Sequence, residues 1–292
     1  MSEAPVTVVT GANSGIGRAT ALHLAAAGHT VFGTVRSVAR ADKLLAAADD
    51  AGVTVELVEL DIADDTSVRD GFARILAATD RVDHLVNNAG VGGNGVVEET
   101  TAERFLDVLN VDLCGATRCA QAVLPQMRER GSGTIVNVTS VAGRIGAIAQ
   151  APYVAAKWAL EGISEQLAQE VAPFGIRVAI IEPGVTKSSI FGKNTDAPNT
   201  SGAYDVQYAR MLQMYAAGYH HATDAWEVAA IVQHAIETDD PKLRYPVSWG
   251  GRGITEGRAR MTDEEWVALG RIASMDDYIA AFRDAFDIDI TT

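Results

Sequence analysis

Seven short runs rich in β-branched and apolar residues recur along the chain, each followed by a stretch of turn or helical character. They are VTVVT at 6–10, TVFGTV at 30–35, VTVELVEL at 53–60, VDHLVNN at 82–88, GTIVNVTS at 133–140, IRVAIIEP at 176–183 and LRYPV at 243–247. Between them lie Ala-rich helical patterns: one ending near Gly28, another at 64–78, and longer ones near 101–129, 152–173 and 224–237. Strands apolar on both faces need a helical layer on each side, and helix-length crossovers make them parallel. The expected fold is an α/β, doubly wound parallel sheet. Pro246 lacks a backbone donor, which puts the last run at an edge or a strand end.

No repeat, Pro-rich linker or charge block divides the sequence, so one domain over 1–292 is the economical reading. Within it, 188–222 mixes Gly, Pro and Asn with a helix carrying Met211, Leu212, Met214 and Tyr215. Coming after a strand's carboxyl end, it suits a substrate lid, or equally an extra surface helix. Residues 255–292 read as a helical tail.

With 24 basic and 38 acidic residues the formal charge is −14, the wrong sign for tracking nucleic acid or an anionic membrane. The N-terminus has no basic and apolar leader pattern, and no apolar run approaches the roughly 18 residues of a spanning helix. A soluble, cytoplasmic protein is expected. Cys114 and Cys119 fall on different faces of one helix and read as reduced packing residues. The adjacent His220 and His221 diverge and have no third ligand at suitable spacing, so no metal is expected.

TGANSGIG, Thr10 to Gly17, follows the first strand and opens the first helix. Gly11, Gly15 and Gly17 allow a tight turn, close approach of backbone to a pyrophosphate, and close helix packing. Asn13, Ser14 and Ile16 complete the loop, whose free N–H groups and helix dipole favour an anion. A site selective for NAD(H) wants an acidic group about twenty residues further on. The second strand offers instead Val35, Arg36 and Ser37. Arg36 suits a 2′-phosphate, so NADP(H) is favoured over NAD(H).

Tyr153 and Lys157 stand one helical turn apart and project from one face. An ammonium about 4 Å from a phenol is worth roughly 4 kcal/mol at an effective dielectric near 20, enough to lower its pKa by about three units. Such a pair would make Tyr153 a usable acid or base at neutral pH; the alternative is a solvated helix face carrying a chance Tyr and Lys.

In order along the chain, TGANSGIG, the NNAG of Asn87 to Gly90, Asn110 in LNVDLCG, Ser140, and Tyr153-x3-Lys157 resemble the short-chain dehydrogenase/reductase family, non-extended subfamily, over roughly residues 6–190. The resemblance implies a Rossmann fold, with Asp61 and Ile62 flanking the adenine and Asn88, Ala89 and Gly90 lining adenine and ribose. Pro183, Gly184, Val185 and Ser188 would border the nicotinamide, Ser188 standing where the family usually has Thr. Tyr153 would exchange the substrate proton and Ser140 would hold the substrate oxygen. Lys157 would support Tyr153 and bind the nicotinamide ribose. Asn110 would anchor, through its carbonyl, a water linking Lys157 to solvent. The implied activity interconverts a carbonyl and a secondary alcohol on a small, fairly hydrophobic molecule, as a ketone reductase or hydroxysteroid-dehydrogenase-like enzyme. Relatives pair subunits through the helices near 101–129 and 152–173, which implies a homodimer or homotetramer. The competing reading is a non-catalytic NADP(H)-sensing binder, a class that usually lacks the Tyr or the Lys retained here.

Overall fold

Seven parallel strands form one sheet in the computed structural model, which describes residues 4–188 and 198–291. They are β1 (Val6–Val9), β2 (Thr30–Val35), β3 (Glu56–Glu59), β4 (His84–Asn87), β5 (Gly133–Val138), β6 (Ile176–Pro183) and β7 (Arg244–Val247), in the order 3-2-1-4-5-6-7. All six pairings are parallel. Successive strand residues serve opposite layers. Val8, Phe32, Leu85 and Ile135 pack on one side with Phe72, Val123 and Met127; Val9, Val31, Val86 and Val136 pack on the other with Leu22, Leu44 and Val232. Runs apolar at every position therefore need helices on both faces.

Helices α1 (Gly15–Ala26), α2 (Asp42–Asp50), α3 (Asp65–Thr79), α4 (Ala102–Leu109), α5 (Ala116–Arg130), α6 (Ala151–Val171), α7 (Asp205–His221) and α8 (Ala225–Glu237) connect the strands, and α9 (Gly251–Arg260), α10 (Asp263–Arg271) and α11 (Met275–Phe286) follow β7. Among the described residues no helix is long and apolar enough to cross a membrane. Strand order reverses between β1 and β4, so their connections leave in opposite directions and open a crevice at the carboxyl ends. Pro246 lies in β7, an edge strand as expected.

Three expectations needed correction. The strand proposed at 53–60 shortens to Glu56–Glu59, the four residues that pair with Phe32–Val35 of β2 at the sheet edge. The single helix near 101–129 is divided by a wide π-type turn over Asn110–Gly115. A Cβ on Gly115 would stand 2.7 Å from Ile62 Cδ1, so only glycine lets this turn approach the loop after β3. The turn also leaves Cys114 exposed while Cys119 is buried, its thiol pushed up to about 12 by desolvation, so only the second is a packing residue.

The tail builds its own apolar layer, with Ile254, Tyr278, Phe282, Phe286 and Ile288 packed against Ile145, Ala217 and Trp266. Arg210 of α7 is 1% exposed and bonds the carbonyl oxygens of Gly270, at 3.4 Å, and Ile272. Its guanidinium carbon lies 4.2 Å from the centroid of the Tyr278 ring. Stacking and two carbonyl contacts thus fasten α7 to the helices beyond β7.

Glu182, near the end of β6, is 2% exposed and faces Glu161 of α6, with Arg144 and Arg244 at 3.3 and 3.5 Å. Burial and the like charge of Glu161 outweigh both arginines and push its carboxyl up to about 7. The unfolded chain releases this proton near pH 4.5, whereas the folded chain holds it to near 7. The group therefore adds stability at low pH that is lost as pH rises from 4.5 through 7, by up to about 3 kcal/mol. Glu182→Gln should remove this slope: urea unfolding should show its stability rising relative to the parent between pH 4.5 and pH 8, and a constant difference would refute the assignment.

Candidate active site

A cavity of about 1220 Å³ runs along the carboxyl ends of the strands. Its floor is the turn from β1 into α1. Gly11 adopts φ +68°, and a Cβ there would meet the Ala89 Cα at 2.9 Å. On Gly17 a Cβ would fall 2.4 Å from both Asn88 Nδ2 and the Gly11 oxygen. The missing side chains let the helix start abut the loop after β4. Thr10 Oγ1 accepts the N–H groups of Asn88, at 2.9 Å, and Ala89, at 3.0 Å, while Asn88 Nδ2 donates to the Thr10 oxygen at 3.0 Å. The first turn of α1 carries no acidic residue, leaving its positive end unopposed.

Gly11, Asn13, Ser14, Gly15 and Ile16 line this end, and Gly17 lies behind them as a packing position. Arg36 and Ser37 border it from the end of β2, with Asp61 and Ile62 beyond β3 and Asn88, Ala89 and Gly90 beyond β4. Pro183, Gly184, Val185 and Ser188 close the opposite wall after β6. A glycine-floored cradle at a helix start fits a dinucleotide pyrophosphate.

Ser140, Tyr153 and Lys157 meet the same cavity near its middle. Ser140 follows β5; its Oγ accepts the Ala142 N–H at 3.1 Å and donates to the Pro183 oxygen at 3.5 Å. Tyr153 and Lys157 occupy successive turns of α6, with Lys157 Nζ 5.5 Å from the Tyr153 ring centroid. Lys157 is buried, donates to the Val138 oxygen at 3.4 Å and lies 3.2 Å from Asp112 Oδ2. Burial works against its ammonium form, but Asp112, then Tyr153 and Glu161, more than offset this and hold its pKa above the ordinary lysine value.

The sequence and fold of this chain match known proteins throughout the same region. The family model for short chain dehydrogenase matches residues 5–199. The chain belongs to the short-chain dehydrogenase family. It is 37% identical over 245 residues to 3-ketodihydrosphingosine reductase of Bacteroides thetaiotaomicron, spanning 83% of this chain and 87% of that one. It is 35% identical over 253 residues to 17-beta-hydroxysteroid dehydrogenase type 1 of Mus musculus, spanning 82% and 72%. The crystal structure of a short-chain dehydrogenase from Streptomyces avermitilis superposes with a TM-score of 0.80 at 40% identity, over 93% of this chain and all of that one. The protein is thus an NAD(P)-binding oxidoreductase acting on CH–OH groups.

One position within this short-chain dehydrogenase departs from expectation. Asn110 does not border the cavity. Its Nδ2 donates to the Ala63 oxygen at 3.3 Å, its Oδ1 accepts from Arg118 at 2.9 Å, and its carbonyl oxygen accepts from Arg118 at 3.2 Å. The side chain that reaches Lys157 is that of Asp112, two positions on within the π-type turn. The only sequence signal was an acidic residue between Val111 and Leu113 in a helical segment.

The far half of the cavity is apolar. Met211 and Met214 of α7 line it with Tyr278 and Phe282 of α11, Trp266 of α10 and Ile290. Tyr215 donates to Asn94 Oδ1 at 2.8 Å, and burial, with Tyr153 nearby, pushes its phenol up. Of the 188–222 segment, α7 lines the cavity, while 189–197 lie outside the described residues. The wall supplied by the tail was not legible in sequence.

Proposed function

We propose that this short-chain dehydrogenase uses NADP(H) to interconvert a ketone and a secondary alcohol on a fairly hydrophobic small molecule. One observation carries this reading: Ser140, Tyr153 and Lys157 border a single cavity between a glycine cradle and an apolar wall. Bound in the cradle, the dinucleotide supplies hydride chemistry at its nicotinamide ring. Ser140 Oγ, fixed at the end of β5, donates to the substrate oxygen and orients it. Tyr153 gives that oxygen its proton in reduction and takes it back in oxidation. Lys157 keeps positive charge beside the phenol and reaches toward the ribose side of the cavity. The Met, Phe, Trp and Tyr side chains of α7 and the tail exclude water from the transfer and favour apolar substrate surface.

Arg36 supports NADP(H). It is exposed at the end of β2 and borders the cradle, and its chain neighbours Val35 and Ser37 carry no carboxylate. Exposed Leu106 of α4, with Trp158 and Ile163 of α6, supports a subunit interface on these helices, in a homodimer or homotetramer whose protomers are each one domain.

Tyr153→Phe should lower ketone-dependent NADPH oxidation by about two to four orders of magnitude while NADPH still quenches protein fluorescence. Full turnover in this variant would end the proposal. Arg36→Leu should raise the KM for NADPH about ten- to a hundredfold and leave that for NADH within about twofold, from loss of a charge-assisted pair. Equal changes for both nucleotides would argue against a 2′-phosphate contact. Sedimentation equilibrium should give a multiple of 30.8 kDa at micromolar concentration, and a monomer would contradict the interface.

A further inference from the structure

Asp112 is a carboxylate that the mechanism above leaves without a task. It is 1% exposed, and it sits on the π-type turn between α4 and α5. Its Oδ1 accepts the Val91 N–H at 2.7 Å, just past the NNAG loop, and its Oδ2 stands 3.2 Å from Lys157 Nζ. Oδ2 makes no well-angled hydrogen bond, so charge attraction is the main tie to the lysine. A Cβ on Gly90 would approach Oδ2 to 3.1 Å, so the glycine leaves this carboxylate its room. A neutral amide in the same place would satisfy Val91 equally well. Only a carboxylate also answers the buried ammonium.

We propose that Asp112 is a positioning residue: its charge holds Lys157 protonated and aimed along α6 toward Tyr153, and so sets the pH range over which the Tyr153–Lys157 pair exchanges the substrate proton. This rests on Tyr153 as the proton donor. The titratable groups facing Lys157 are Asp112 from the turn and Tyr153 and Glu161 from its own helix; β5 presents the Val138 carbonyl. Those facing Tyr153 are Lys157 and, from α7, Tyr215. Glu161 is partly committed elsewhere, accepting from the Thr139 hydroxyl at 2.6 Å and pairing with Arg244 at 3.1 Å. Asp112 is therefore the nearest counter-charge to the lysine.

The sign of the effect follows from charge alone. In the parent, Asp112 is negative, Lys157 positive and Tyr153 neutral when the site is ready to reduce a ketone. Replacing the carboxylate by an amide removes a negative charge, which eases loss of the next proton whether it leaves from Tyr153 or from Lys157. The coupled titration moves to lower pH in either case.

The test is Asp112→Asn, assayed for ketone reduction from pH 5 to 10 beside the parent and Tyr153→Phe. The alkaline fall of kcat/KM should move at least about one pH unit lower in Asp112→Asn, while NADPH affinity stays within about threefold. A variant that loses rate equally at every pH, with the fall unmoved, would make Asp112 a structural residue and overturn the inference. Activity surviving in Tyr153→Phe would instead defeat the functional reading itself. If Asp112→Asn does not fold, the parent decides: Lys157 is one of five lysines. With 15N-labelled lysine, and its signal assigned by Lys157→Arg, the Lys157 amine should stay protonated above the pH at which the exposed lysines titrate. Titration at or below theirs would sink the proposal.

Discussion

The contact between the β1–α1 turn and the loop after β4 is the constraint on which this molecule depends. Strand order reverses at that point, and the two loops would part if either carried bulk. Glycine at 11 and 17 lets them touch, and Thr10 ties them with three hydrogen bonds through its hydroxyl and carbonyl oxygens. The cradle for the dinucleotide and the position of the NNAG loop follow from that closeness. The same loop then meets Asp112 through Val91, so this packing reaches Lys157 in two steps.

Much of this was legible in the sequence because the relevant signals are local. A strand buried on both faces reads as a continuous apolar run, a glycine cluster between strand and helix reads as a phosphate turn, and a one-turn spacing puts Tyr153 and Lys157 on one face. What failed was register and distance. Asn110 was assigned by resemblance, through its backbone carbonyl; in the structure that carbonyl accepts from Arg118, and the side chain facing Lys157 is that of Asp112. The wall formed by Tyr278, Phe282 and Ile290 comes from residues over a hundred positions after Tyr153, and nothing in their own periodicity shows which surface they cover.

The two ends of the cavity also differ in character. The cofactor end is made of backbone, glycines and helix dipole, with little side chain to vary. Methionine and aromatic side chains make the other end. Methionine adapts its shape at low cost, while Trp266, Tyr278 and Phe282 provide stiff walls.

Arg210 has a kinetic meaning as well as a structural one. Since its guanidinium grips the last carbonyls of α10 and stacks on a ring of α11, α7 is not a flap hinged on its own flanks. Swinging it outward would drag two more helices along or strip a buried cation of its partners. Access to the apolar half of the cavity is therefore tied to three helices that move as one piece, not to α7 alone.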